Sequence, residues 1–160
     1  MGSGVDVIEL TLPARAEYIG VARLTVSGIA NRAGLPYDDI EDVKLAVAEA
    51  CTNAVEHAYG GKGTGRIFMR CAVHEDRLVI VVADDGGSFD IADIQKKLKP
   101  IDRSVPIEEM TEGGLGLYLI HSVMDEVHIT GDEGVVISMT KYLRRDEVAD
   151  NGGSISKQAN

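Results

Sequence analysis

The sequence lacks any long apolar run, and none approaches the roughly 20 residues that a helix needs to span a bilayer. The opening MGSGVDVIEL has no basic stretch followed by an apolar one, so we expect no signal peptide. Basic residues are also few: 16 Lys and Arg stand against 26 Asp and Glu, and the net charge is −10. Because binding to a phosphate backbone needs a basic surface, no direct nucleic-acid partner and no membrane attachment are expected.

Cysteine is scarce as well. Cys51 and Cys71 are the two in the sequence, and their separation does not match the spacing of metal ligands. Both lie among apolar residues, which predicts buried thiols in the reducing environment of the cytoplasm. A disulfide between them is the less favoured alternative, because disulfides are rare in that compartment.

The patterns that are present predict one domain over residues 1–145 and a polar, disordered tail over 146–160. Alternating apolar and polar residues predict a strand at 5–12 and two hairpins, at 66–84 and 126–143. Helical periodicity predicts three helices: one at 14–32, one from Asp38 or Asp39 to about 59, and one that begins at the glycines near 113. The order predicts an α+β fold, a two-layer sandwich of helices on a mostly antiparallel sheet.

The first motif is EACTNAVEHAY, at 49–59 in the second predicted helix. One face carries small apolar side chains at helical spacing: Val43, Ala46, Val47, Ala50, Ala54 and Ala58. An adjacent face carries three acids and an amide: Asp42, Glu49, Asn53 and Glu56. Alone, this pattern is typical of a solvated acidic face. Since small residues allow close packing, the amide could instead project into a cleft, bind Mg²⁺ beside phosphates, and lie one turn from a carboxylate able to accept a proton.

The second motif is VVADDGGSFD, at 81–90. A strand that ends in Asp-x-Gly places a carboxylate at the mouth of the sheet, and the glycine then lets the backbone turn sharply. Such a carboxylate can accept a hydrogen bond from an exocyclic amine such as that of adenine. By itself the motif is equally typical of an ordinary Asp-Gly turn.

The third motif is EGGLGLYLI, at 112–120. Glycines before a helix leave backbone N–H groups free at its positive end, which favours phosphate binding. Neither the Lys-Ser/Thr of a Walker loop nor the preceding strand of a Rossmann motif is present. A glycine-rich hinge remains the alternative for this motif alone.

Together and in this order, the three motifs resemble the N, G1 and G2 boxes of the GHKL superfamily of ATPases and kinases, with residues 84–113 as the G1 turn and ATP lid. The resemblance covers 7–143, and it is strongest to bacterial anti-sigma factors of the anti-sigma-B type, which are also serine-protein kinases. VARLTVSGIA, YDDIEDVKLAVAEACTNAVEHAY and SMTKYL carry that similarity. It implies the Bergerat ATP-binding fold.

The resemblance also implies roles for individual residues. Glu49 would be the general base and Asn53 the Mg²⁺ ligand. Asp84 would bind the adenine amino group, with Gly86 allowing close approach, and Arg23 would contact a sigma factor. The phosphates of ATP would be cradled by four consecutive residues: Gly114, Leu115, Gly116 and Leu117.

Some positions depart from the family pattern. Ser88 replaces a glycine of the G1 box, and Glu112 stands where some relatives carry an arginine that could reach the γ-phosphate. Positive charge would then come from lid residues: Lys96, Lys97, Lys99 or Arg103. Val135 and Val136 replace a common threonine, removing a hydroxyl that could support adenine binding.

The resemblance implies a homodimer that binds a sigma-B-type sigma factor and, with ATP and Mg²⁺, phosphorylates a serine of a STAS-domain anti-sigma-factor antagonist. Two other functions compete. One is a nucleotide-dependent anti-sigma clamp without kinase activity, and the other is a stand-alone ATPase that releases phosphate to water.

Overall fold

The protein is seen here in a computed structural model that describes residues 4–58, 65–84, 99–100, 114–130 and 136–143. Its centre is a six-stranded sheet with the order β1-β2-β3-β6-β5-β4, in which every pair of neighbours is antiparallel. The strands are β1 (Asp6–Pro13), β2 (Arg66–Val73), β3 (Arg77–Asp84), β4 (Lys99–Pro100), β5 (Glu126–Thr130) and β6 (Val136–Tyr142). The predicted hairpins are β2–β3 and β5–β6.

Side-chain alternation explains which face of the sheet is covered. On β3, Leu78, Ile80 and Val82 are buried at every second position, as expected when one face packs against another layer. Asp84 continues the same alternation and is also buried. The strand therefore carries its terminal carboxylate on the covered face of the sheet.

The first helix is shorter than predicted. A 3₁₀ turn at Ala16–Tyr18 precedes α1, which spans Ile19–Ala33. Gly34 ends α1 as predicted, in a left-handed conformation with φ of 99° that favours glycine. The buried side of α1 carries small side chains: Ala22, Val26, Ala30 and Ala33.

The second helix begins earlier than the predicted Asp38 or Asp39 cap. Pro36 occupies the N-cap position with no side-chain cap, and α2 spans Tyr37–Asn53. Both aspartates lie in the first turn, where the positive end of the helix dipole stabilises their negative charges. The predicted continuation is also different, because a wider π-helical turn follows at Ala54–Ala58.

The third described helix, α3, spans Gly114–Val123 and packs against α2, which also contacts α1, β3 and β6. The core lies between these helices and the sheet, and it includes Val43, Val47, Ile80, Ile120 and Met139. The predicted α+β fold of helices on an antiparallel sheet is confirmed. Among the described helices, none has the length and apolar character needed to cross a membrane.

Candidate nucleotide site

Glu49 and Asn53 lie one turn apart near the end of α2. Glu49 is half-buried, and Asn53 is buried with 8% of its surface exposed. The interpretation of this face as simply solvated is therefore wrong at Asn53. Glu56, which regular helical spacing would place near Asn53, lies in the π turn and is exposed.

Gly116, in the first turn of α3, faces both side chains. A Cβ atom at this glycine would lie 3.0 Å from Oε2 of Glu49, 3.5 Å from Oδ1 of Asn53 and 3.6 Å from its Nδ2. The bare backbone of Gly116 thus lets α3 approach the carboxylate and the amide closely. The structure brings together one residue of the third motif and two of the first, which are more than 60 positions apart in the sequence.

The amide of Asn53 is incompletely satisfied. Its Nδ2 is buried, and within the described part of the chain it has no hydrogen-bond partner. An unpaired buried donor costs roughly 1–3 kcal/mol, so such a group is typical of a site that binds a polar ligand. An amide beside the start of a helix fits a phosphate group, through Nδ2, and a hard cation such as Mg²⁺, through Oδ1.

The first turn of α3 contributes its backbone. The sequence predicted that the glycines of the third motif precede the helix. In the structure Gly114 and Leu115 begin the helix, and Gly116 lies within its first turn. The N–H groups of a first turn have no partner within their own helix, and they carry the positive end of the helix dipole. Leu117 is half-buried and packs against the core. It is the fourth residue of α3 and the first whose N–H bonds within the helix, so the predicted phosphate contact of Leu117 is the weakest of the four.

Asp84 ends β3 with 3% of its surface exposed. It lies opposite Ile67 of β2, on the face of the sheet that the helices cover. A buried carboxylate at a strand end can accept a hydrogen bond from a ligand amine, and this is the contact predicted for adenine. The roles of Asp84, Glu49 and Asn53 nevertheless stay predictions.

Several predicted site residues fall outside the described ranges: Gly86, Ser88, Lys96, Lys97, Arg103, Glu112 and Val135. Lys99, which was predicted to lie in the lid, forms β4 and pairs with Ile129 of β5. Arg23 is exposed on α1, a helix that packs on α2 but does not take part in the contact at Gly116.

The two cysteines are buried free thiols, so the prediction of buried thiols is confirmed and the disulfide alternative is not realised. Cys51 lies on α2 between Glu49 and Asn53, and Cys71 lies on β2. Burial raises the pKa of each thiol to about 12, because a thiolate loses its hydration in the core. Neither thiol is ionised near neutral pH, which makes a nucleophilic role at this site unfavourable.

Sequence reasoning missed Lys141 of β6. Its side chain is 6% exposed and forms ion pairs with Asp42 and Asp39 of α2. A signal was present in the sequence, because Ile137, Met139 and Lys141 occupy alternate positions of one strand and therefore share a face.

Known proteins share the sequence pattern and the fold of this chain. The family of histidine kinase-like ATPase domains matches residues 12–141. The serine-protein kinase RsbW of Bacillus licheniformis is 55% identical over 151 residues, covering 94% of both chains. The protein of the same name from Halalkalibacterium halodurans is 54% identical and covers 94% of this chain and 92% of that one.

The fold is also shared with a crystal structure of the RsbU and RsbW domains of a Mycobacterium tuberculosis protein, with a TM-score of 0.60 at 21% sequence identity. That match covers 85% of this chain and 32% of the other, so the present chain corresponds to about a third of that longer one.

Proposed function

The chain belongs to the histidine kinase-like ATPase family, among the serine-protein kinases RsbW, and from this premise we propose that it transfers the γ-phosphoryl group of ATP to a serine of a partner protein. The observation that carries the proposal is the contact of Gly116 with Glu49 and Asn53. It places a carboxylate, an amide and the free N–H groups of a helix start around one point, as phosphoryl transfer requires.

Glu49 is proposed to be the general base. It accepts the proton of the substrate serine while the serine oxygen bonds to the γ-phosphorus, and the bond from that phosphorus to the bridging oxygen of ADP breaks. ADP leaves with the electron pair. The half-buried position of Glu49 supports this role, because its carboxylate remains accessible to a hydroxyl from solvent or from a partner.

Asn53, Asp84 and the start of α3 are proposed to bind the nucleotide. Asn53 would hold Mg²⁺ through Oδ1, and the ion when bound would offset negative charge on the phosphates. The Nδ2 group of Asn53 has a hydrogen to donate to a phosphate oxygen. Asp84 would accept a hydrogen bond from the adenine amine, while Gly114, Leu115 and Gly116 would donate backbone N–H groups to the phosphates and Leu117 would anchor this turn in the core.

The proposed protein substrate is a STAS-type anti-sigma-factor antagonist, and the proposed target of inhibition is a sigma-B-type sigma factor of the general stress response. The exposed guanidinium of Arg23 on α1 is available for such a contact. Phosphorylation adds roughly 1.5 to 2 negative charges, so a kinase with a net charge of −10 should release the product readily. Both ATP and reduced thiols suit the proposed location in the cytoplasm.

A homodimer is proposed through the side of the molecule that carries β1. This strand is at the edge of the described sheet, where exposed backbone groups can pair with another chain. Beside it lies a groove of about 500 Å³ lined by Ile8, Leu24, Ile29 and Val73, among others. Sedimentation should show a dimer for the wild type and a monomer for Leu24→Glu, and an unchanged dimer in the variant would contradict this arrangement.

The kinase proposal is tested by the intact mass of a STAS-type antagonist after incubation with the protein and Mg-ATP. We expect the wild type to add one phosphate and Glu49→Gln to add none. Glu56→Gln is the matched control, since Glu56 is an exposed acid on the continuation of the same helix.

The other outcomes are equally informative. Full phosphorylation by Glu49→Gln would contradict the role of Glu49 as base. If the wild type binds nucleotide but adds no phosphate, the nucleotide-dependent clamp becomes the better function. Phosphate released to water without an acceptor would favour the stand-alone ATPase.

A further inference from the structure

Lys141 is a lysine buried on the covered face of β6, where it follows Ile137 and Met139 in the alternation of inward side chains. A lysine is almost never fully buried unless its ammonium is paired. A methionine would fill such a position without the cost of removing a charge from water. Hydrophobic packing alone therefore does not explain why a lysine occupies this position.

The ammonium connects α2 and α3. It lies 3.2 Å from Oδ2 of Asp42 and 3.8 Å from Oδ1 of Asp39, both on α2. It also donates a hydrogen bond of 2.6 Å to the carbonyl oxygen of Val123, the last residue of α3. One side chain of the sheet thus holds the beginning of one helix and the end of the other.

The strand around Lys141 is itself fixed to the end of α3. The backbone N–H of Asp125 donates to the carbonyl oxygen of Thr140 at 2.9 Å. The carboxylate of Asp125 accepts a hydrogen bond of 2.7 Å from the backbone N–H of Tyr142. Asp125 therefore bonds to the residues on both sides of Lys141, which limits the freedom of the lysine to move relative to α3.

The spacing links this contact to the nucleotide site. From Gly116 to Val123 on α3 is seven residues, and from Glu49 back to Asp42 on α2 is also seven. Seven residues span about 10.5 Å of helix. The two helices thus run in opposite directions with two matched contacts, Gly116 at Glu49 and Val123 joined to Asp42 through Lys141.

We propose that Lys141 is a positioning residue that sets the axial register of α3 on α2, and thereby the distance of Gly116 from Glu49 and Asn53. A sliding displacement of α3 would change both contacts together, because a helix is rigid over two turns. Lys141 lies about 10 Å along α2 from Glu49, and so it acts through the helices rather than on the reacting atoms. Its effect on catalysis rests on the proposed kinase function, whereas its effect on register does not.

The test uses two variants. Lys141→Met leaves Asp39 and Asp42 without their cation, and the loss of these ion pairs destabilises the fold whether or not the register changes. The triple variant Lys141→Met, Asp39→Asn, Asp42→Asn removes the unpaired charges and should restore stability except for the small part that the charge of Asp39 contributes at the start of α2. Ile137→Val, in the core on the same strand, is the control for a modest loss of stability unrelated to the helix contact.

The first measurement is the amide resonance of Gly116 in the nucleotide-free protein, which reports the environment of α3 at Glu49. We expect the triple variant to shift this resonance and Ile137→Val to leave it in place. The second measurement is phosphoryl transfer to the antagonist. There, the triple variant should lose about 10- to 100-fold in kcat, the effect of a displacement near 1 Å, without a matching loss of stability.

An unshifted Gly116 resonance in the triple variant overturns the proposal, as does recovery of both stability and kcat. If the wild type transfers no phosphate at all, the kinase function fails, but the Gly116 resonance still decides whether Lys141 sets the register.

Discussion

The α carbon of Gly116 lies so close to Glu49 that a methyl group on it would come within 3.0 Å of the carboxylate oxygen Oε2. A distance of 3.0 Å is shorter than most contacts that Cβ atoms make in proteins, so a side chain at this position would require the carboxylate to move. The glycine of the third motif thus has a second role besides freeing backbone N–H groups: it makes room for the proposed base.

Gly116→Ala should therefore reduce phosphoryl transfer by roughly 3- to 10-fold, because the new methyl group moves the carboxylate of Glu49 by a few tenths of an ångström and a misplacement of about 1 Å can cost about 100-fold. Alanine in a helix is otherwise worth up to about 1 kcal/mol more than glycine, so the variant should remain folded. The measurement is the rate of phosphorylation of the antagonist, together with thermal unfolding.

Gly20→Ala is the matched control for this substitution. Gly20 also lies in the first turn of a helix, and a Cβ there would meet nothing within 4 Å. It should gain stability and keep full activity. Equal activity of the two variants would show that the contact at Gly116 does not matter.

Asn53→Ala should lower the affinity for Mg-ATP without lowering the free energy of unfolding. The substitution removes a buried donor without a partner and introduces a better helix former, so the free energy of unfolding should stay within about 1 kcal/mol of the wild type or rise. Affinity for Mg-ATP, measured by calorimetry, should fall strongly. Asn31→Ala, at an exposed position of α1, should leave affinity unchanged. Retained Mg-ATP affinity in Asn53→Ala would exclude Asn53 as a ligand.

Asp84→Asn should weaken binding of ADP about 10-fold, because a neutral amide oxygen accepts a hydrogen bond from the adenine amine more weakly than a carboxylate does. The position is 3% exposed, so the amide is placed where the carboxylate was. Asp76→Asn in the exposed turn between β2 and β3 is the control and should bind ADP normally. If both variants bind ADP as the wild type does, Asp84 does not contact the base.

The buried thiols predict a loss of stability at high pH. Cys51 and Cys71 have a pKa of about 12 in the folded protein, against an ordinary value of 9.0. The unfolded chain loses these protons first, so the stability they contribute is fully present below about pH 9 and is lost as the pH rises towards 12.

At pH 10 the loss should be roughly 1.4 kcal/mol for each thiol, measured by urea unfolding across the pH range. The double variant Cys51→Ala, Cys71→Ala should show a flatter decline above pH 9. A decline as steep as that of the wild type would assign the effect to other groups.

Local patterns in the sequence were sufficient to predict the two hairpins, the end of α1 at Gly34 and the small apolar face of α2. Each of these depends on neighbouring residues alone, through side-chain alternation, a left-handed glycine or helical spacing. The start of α2 at Tyr37 and the π turn after Asn53 were not predicted, because nearby aspartates can cap a helix or follow its cap equally well, and a π turn has no simple sequence signal.

The sequence by itself determined which residues could form the site: a carboxylate and an amide one turn apart, a carboxylate at the end of a strand, and glycines at the start of a helix. Only the tertiary structure decided that Gly116 faces Glu49 and Asn53, and that Lys141 joins Asp42 to the end of α3. The reason is physical. Spacing along the chain fixes which side chains share a face of one element, but the contact between two elements depends on the packing of the whole helical layer on the sheet.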